Sequence, residues 1–367
     1  IQRDNIKQGL PANHAAIPSY KTDIQPTYAR DPDATKTKMI PATVPPQPPP
    51  TPGTIPPPIG GPIRVILHLY SGHRRHNDLQ HWYEHMTPPD DQTTYVLSID
   101  IANNATTGDL TNWTTVAFWL HQMEKGRVAA ILAGPPCETW SAARTRALPN
   151  YQGRHPPRPL RSREQPWGLP YLSQREYDQL DLGNQLLRIT ILFLYAATNL
   201  QIPAIMEHPA TVEDERQVAS SFLLPEMQHL QALPNVQLVY LDQCMLGQLS
   251  PKPTMLLCIH APQVQQLIHQ VHNGCRCNHS YGYHQAILGQ NDDGSWRTAA
   301  AKQYPSEMCK LLARAIHLAT IDRWGELPLP GDWNLPTEFA DFYVPLDPYY
   351  DFHTSTDCMT HRHLRPH

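Results

Sequence analysis

The chain predicts an α/β protein built on an open, mostly parallel, doubly wound sheet. Three observations predict it. Short apolar runs alternate with helical stretches along residues 63–324, the pattern of a parallel sheet covered on both faces. The runs are nearly continuous, as strands buried on both faces are. Several end at a polar or acidic residue, the edge at which such sheets hold ligands.

The elements follow in order. "IRVILHLY" (63–70) is a buried strand that ends in "SGHRRHNDL", a turn into a helix. "TYVLSIDI" (94–101) is a second strand with Asp100 at its end. "NWTTVAFWLHQMEKG" (112–126) is a helix stopped by Gly126. "RVAAILAG" (127–134) is a third strand, and 180–200 is a long, mostly buried helix. "PAIMEHP" (203–209) is a fourth strand that ends at Glu207, and a helix covers 222–232. "NVQLVYLD" (235–242) and "TMLLCIH" (254–260) are further strands; "PSEMCKLLARAIHLATIDRW" (305–324) is a closing helix. Asp100, Cys137 and Glu207 are expected to meet on one edge of the sheet.

The flanks differ in kind. The chain holds 39 prolines in 367 residues, more than double the usual share of about 5 %. Half of the residues from Pro41 to Pro62 are proline. Residues 1–62 therefore read as a mostly disordered arm, either a linker or a ligand for a proline-reading partner. Residues 325–367 read as an irregular tail rich in proline, aromatics and acid, which either packs back on the domain or docks to a partner. The first residue is Ile1, which suggests a piece of a longer polypeptide.

Composition narrows the function. With 29 Lys and Arg against 33 Asp and Glu, the formal charge is -4. That argues against a protein held to nucleic acid by bulk charge, though a local basic surface is compatible with it. The longest apolar run, "ITILFLYAA" (189–197), falls short of the roughly 20 residues that cross a bilayer, so no membrane partner is expected. Seven unevenly spaced cysteines form no disulfide framework and point to a reducing, intracellular compartment.

"ILAGPPCETWS" (131–141) carries the chemistry. Two prolines fix two φ angles and remove two amide donors. They make a stiff turn that projects Cys137 at the ligand edge. A thiol presented there is a candidate nucleophile, although most free cysteines are small buried residues.

Other segments give this turn a context. "LYSG" (69–72), "SID" ending at Asp100, "GDL" (108–110), "GPPCETWS" (134–141), "MEHP" (206–209), "GQLSPKPTML" (247–256) and "AAAKQYPSEMCKLLARAI" (299–316) follow one another. In that order they resemble the motifs of cytosine-C5 DNA methyltransferases, over roughly Ile63 to Trp324. The chain is also similar to degenerate modules in protist polyproteins of retroelement type.

The resemblance implies a class I, Rossmann-like fold that binds S-adenosylmethionine (SAM). It implies that Cys137 adds to C6 of cytosine, that Glu207 grips N3 and the exocyclic amine, and that Ser141 and Lys252 complete the catalytic set. Tyr70, Ser71 and Gly72 in the first turn, Asp100 and Ile101, Asp109 and Leu110, and Pro135 would hold the cofactor. The target base must leave the stack to reach the thiol. DNA is the favoured nucleic acid, and the nucleus the favoured compartment.

The chain departs from the family at several points. His73, Arg74, Arg75 and His76 follow Gly72, where the family has further glycines. They either crowd the cofactor's methionine end or mark a phosphate-bearing ligand. Glu207-His208-Pro209 stands for E-N-V, Lys252 and Thr254 stand for two arginines, and Ser250 for a glutamine. The final G-N is absent, with Gln303-Tyr304 nearby. Only about 257–298 is free for a recognition domain. The competing expectation is a catalytically degenerate module that serves a mobile-element polyprotein as a nucleic-acid-binding or scaffold domain. A third is another SAM-dependent or nucleotide-binding enzyme, since fold does not fix reaction.

Two further clusters stand out. Arg144, Arg146, Arg154, Arg158, Arg161 and Arg163 form the strongest basic run, expected to touch nucleic-acid phosphates or else to be a solvated loop. "HNGCRCNHSYGYH" (272–284) places Cys275, Cys277, His279 and His284 as expected zinc ligands, with His272 beside them. Trp113, Trp119 and Trp140 are expected in the core or the site walls.

Overall fold

The computed structural model describes residues 64–86, 94–144, 157–211, 218–285, 301–325, 335 and 337–346. All of them belong to the unit Pro49–His367. The arm at 1–62, Arg146, Arg154 and the tail beyond 346 lie outside the described residues.

Six strands form one sheet: β1 (Arg64–Leu69), β2 (Thr94–Ile99), β3 (Val128–Ala133), β4 (Ala204–Pro209), β5 (Val236–Asp242) and β6 (Pro253–Ile259). Their spatial order is β2-β1-β3-β4-β6-β5. β1 runs parallel to β2 and β3, and β3 runs parallel to β4. Among the described residues β6 alone is inverted, antiparallel to both β4 and β5. The protein is thus an α/β, doubly wound, Rossmann-like sheet.

Side-chain alternation builds its two layers. Val65, Leu67 and Leu69 of β1 face one cluster, and Ile66 faces the other, the period of two that a strand imposes. α2 (Trp113–Glu124), α3 (Gln174–Leu200) and α4 (Pro225–Gln231) cover the first face; α1 (Leu79–Met86), α5 (Gln263–Gln270) and α6 (Ser306–Trp324) cover the second. β1 and β3 are buried at every position, which explains their unbroken apolar runs. Among the described residues no helix is long and apolar enough to cross a membrane.

Local chemistry sets the helix ends. Asn112 caps α2 by accepting the Thr114 N–H, and Gly126 closes it at φ +69°. α3 begins six residues before the expected 180, because Glu176 accepts both the N–H and the hydroxyl of Ser173.

Three expectations need correction. β4 does not end at Glu207 but runs to Pro209, because His208 and Pro209 still pair with Met255 and Thr254 of β6. The insert does not begin at 257, since Leu257–Ile259 complete β6 before α5. The tail is not wholly irregular. A short helix, α7 (Thr337–Ala340), buries Phe339 against Trp119 at 5.6 Å between ring centres.

Order along the sheet places the site. The chain reverses direction of travel between β1 and β3, the switch point where such sheets open a crevice at their carboxyl edge. The inverted β6 starts where β4 and β5 end, so Lys252 and Gln243 arrive at that same edge.

Candidate functional site

The thiol corner grows from the end of β3. Gly134 donates its N–H to the Leu69 carbonyl, which ties the β3 exit to β1. A Cβ at Gly134 would stand 2.3 Å from the Tyr304 hydroxyl and 3.9 Å from Glu207 Oε2, so only glycine lets these groups close in. Pro135 and Pro136 lead to Cys137, whose carbonyl accepts the Trp140 N–H at 2.9 Å. The structure thus brings Cys137, Glu207, Lys252 and Tyr304 to one place.

Glu207 is 4 % exposed, and a carboxylate there needs partners. Tyr304 Oη donates to its Oε2 at 3.2 Å, and Gln243 Nε2 donates to its Oε1 at 3.2 Å. Lys252 Nζ stands 3.5 Å from the same Oε1. Gln243 also donates to Thr254 Oγ1 at 2.9 Å, which aims the amide. The lysine therefore supplies a cation where the resemblant family has arginine, and Thr254 serves as an orienting acceptor.

Electrostatics at Cys137 oppose one another. Burial pushes its thiol up to about 11; the Lys252 charge pulls it down, while Glu207 and Glu138 push it further up. Burial, then Glu207, hold the Tyr304 phenol well above its ordinary value, so it remains a donor. His208 lies under the corner, with Nδ1 2.7 Å from Ser221 Oγ and its ring edge-on to Trp140. Burial lowers its pKa to about 3, so it is neutral. Ser141 is half-buried beside Trp140.

Gln243 and Tyr304 were not among the expected catalytic residues. Their signals were present: Gln243 directly follows a strand end, and Tyr304 directly precedes the Pro305 cap of α6.

The second corner joins the β1 and β2 exits. Gly72, at φ +69°, donates its N–H to Asp100 Oδ2 at 2.9 Å. Asn103 bridges the two loops by donating to Ser71 Oγ and the Gly72 carbonyl and accepting the Arg74 N–H. Tyr70 points away from the loops, donating to the Leu186 carbonyl inside the core. Gly108 packs so tightly that a Cβ would stand 2.1 Å from the Asp100 carbonyl oxygen. That approach sets Asp109 close to Asp100. Ile101 between them is 63 % exposed, whereas Leu110 is core.

These residues fit the adenosine end of SAM. An exposed apolar side chain next to a carboxylate suits a flat base and a ribose diol. Asp100 accepts one backbone N–H on each oxygen, which leaves lone pairs on both. The space above Gly72 is open, with nothing within 4 Å of a Cβ placed there. Arg74 does not reach toward this space: it pairs with Asp78 at 2.7 Å, buried, and Arg75 donates to the Tyr304 carbonyl. Buried Arg74 thus has no free face for a phosphate, and Arg75 is half-buried and held through Nη2.

The basic run is corrected in part. Arg161 is 3 % exposed. It donates to Thr139 Oγ1, the Pro166 carbonyl and Asn184 Oδ1, and lies 3.9 Å from the centre of the Trp140 ring. It is a buried brace, not a phosphate ligand. Arg158 is paired with Glu176 at 2.7 Å. Arg144 donates to the Glu138 carbonyl and to Gln179. Arg163 is exposed. Trp113 also departs from expectation, at 44 % exposed.

The cysteine and histidine loop is corrected as well. Cys277, His279 and His284 come together, but the fourth member is Cys244. Cys275 is fully buried, with Sγ 3.8 Å from the Asp242 carbonyl oxygen.

No protein-family model matches the chain, and no curated protein matches it. Among solved structures it is similar to the S. pombe Dnmt2 methyltransferase, at 12 % identity and a TM-score of 0.27, over 53 % of this chain and 50 % of that one. It is similar to a Spodoptera frugiperda DNMT2 mutant at 12 % identity and a TM-score of 0.26, over 53 % and 49 %. The chain spans about half the length of these structures. The strand order, rather than this likeness, carries the fold.

Proposed function

We propose that the chain transfers a methyl group to C5 of a cytosine in DNA through a covalent adduct on Cys137. The observation that carries this is the convergence of Cys137, Glu207, Lys252 and Tyr304, from four distant chain positions, at the carboxyl edge of the sheet. Asp100, Ile101 and Asp109 would hold SAM, whose sulfonium would give up its methyl group to C5 and leave as the neutral thioether.

The residues divide the remaining work. Cytosine C5 is a poor nucleophile. Addition of the Cys137 thiolate to C6 breaks the C5–C6 double bond and places electron density on C5. Glu207 is aimed by Gln243 and Tyr304 and would hold N3 and the exocyclic amine as the adduct forms. Lys252 lowers the cost of the thiolate. Loss of the C5 proton to a base then re-forms the double bond and expels the thiolate. The base must be flipped out to reach this edge.

The test is a fluorocytosine trap. Fluorine at C5 blocks the last step, so the chain incubated with SAM and fluorocytosine-containing DNA should form a stable adduct that Cys137→Ser abolishes. An adduct that persists in Cys137→Ser would sink the assignment.

A second reading rests on one observation: the thiol is pushed up to about 11 while Glu207 is already engaged by three partners. That favours a degenerate module of a mobile-element polyprotein, which binds nucleic acid or acts as a scaffold without catalysis. A folded chain that binds DNA and forms no adduct would select it.

A further inference from the structure

We propose that Cys244, Cys277, His279 and His284 bind one structural zinc ion, which ties the 276–285 loop to the turn after β5. The proposal does not depend on the methyl-transfer reading. The four ligand atoms all lie within 4.8 Å of one another. Cys277 Sγ stands 3.4 Å from His279 Nδ1 and 3.5 Å from His284 Nε2. A tetrahedral zinc with Zn–S of about 2.3 Å and Zn–N of about 2.0 Å has a sulfur–nitrogen edge of about 3.5 Å. These side chains already stand at the edge lengths of that shell. The Cys244 thiol lies within 4.8 Å of the other three ligand atoms, which closes the fourth corner. Two thiolates and two imidazoles leave no open position, the mark of a structural rather than a catalytic site.

The surroundings support the set. Residues 276–285 contain neither helix nor strand. They leave a tight turn in which Asn273, Gly274 and Cys275 all have φ between 55° and 60°. Tyr281 is fully exposed and Tyr283 is 55 % exposed. So open a loop buries too little apolar surface to offset its ordering entropy. Around the ligands, however, it is specified. The His279 ring stacks on Tyr283 at 3.8 Å and 2°, and the Cys277 N–H donates to Asp242 Oδ2 at 2.9 Å. Such outer contacts orient metal ligands.

The site has a consequence for the edge of the sheet. Cys244 directly follows Gln243, whose amide reaches Glu207. The ion would therefore hold the turn that aims Gln243, with the Gln285 N–H bonded to the Leu249 carbonyl at the loop's far end.

Metal analysis of the full chain, purified without added metal or histidine tag, should find about one zinc per chain. Cys277→Ser and His284→Ala should lose it, and Cys275→Ser should keep it. No zinc in the folded chain, or zinc kept in Cys277→Ser, overturns the site. Should these variants fail to fold, cobalt exchanged into the unaltered chain decides. Strong visible bands of a tetrahedral ion with a sulfur-to-cobalt transition support the site, and a featureless spectrum overturns it.

Discussion

Cys137 is held as a thiol by burial, which one lysine opposes. Burial raises its pKa to about 11, and the Lys252 charge acts against burial. Its alkylation rate should rise about tenfold per pH unit from pH 7 to 10, because only the thiolate reacts. Lys252→Met should slow it by roughly 3- to 10-fold at fixed pH, since a nearby cation is lost. Peptide mass spectrometry of chains treated with a thiol reagent reads both. A pH-independent rate, or faster alkylation in the lysine variant, would contradict the assigned environment. At this scale the sequence was legible where a local rule applied. The proline pair announced a stiff corner that carries Cys137, and the acid after a strand announced Asp100. It was not legible where partners come from distant segments. Arg161 looked like one more phosphate-binding arginine of the basic run. Its burial depends on Thr139, Trp140 and Asn184, which only the fold assembles.

Among the elements, the turn from Asp100 to Leu110 is the most demanding. Gly108 touches the Asp100 and Asn104 carbonyl oxygens, at 2.1 and 2.7 Å from where a Cβ would be. Gly108→Ala should push Asp109 away from Asp100 and cost about 1–3 kcal/mol, the usual range for overpacking. SAM affinity should fall at least tenfold. An alanine variant with unchanged melting temperature and unchanged affinity would show that the two acids are not set by this contact. The strands were readable because each is a short, fully buried run with a polar stop. α5, with sequence QVQQLIHQ, was missed because eight residues, four of them glutamine and one histidine, give too short a period to detect. The swap of Cys275 for Cys244 has the same origin. Ligands 33 residues apart, Cys244 and Cys277, share no spacing that a local reading can weigh.

As a whole molecule, the sheet is covered by helices on both faces, and the tail completes one of them. Phe339 is fully buried against Trp119, and Phe342 stacks on Phe118 at 5.3 Å. Phe339→Ala should cost about 3–5 kcal/mol, read as a shift of the urea midpoint. A shift within error would mean that the tail does not belong to the domain. The inverted β6 was the topological feature with most effect on the site and the least trace in the sequence. Strand direction leaves no mark on residue pattern, yet it decides that Lys252 faces Glu207. The central claim is that this sheet edge still binds SAM through Asp100, Ile101 and Asp109. Calorimetric titration of SAM into the full chain and into Asp100→Ala tests it most directly. One micromolar site, weakened at least tenfold in Asp100→Ala, is the predicted result. No binding by the folded chain, or equal binding by both, would contradict it.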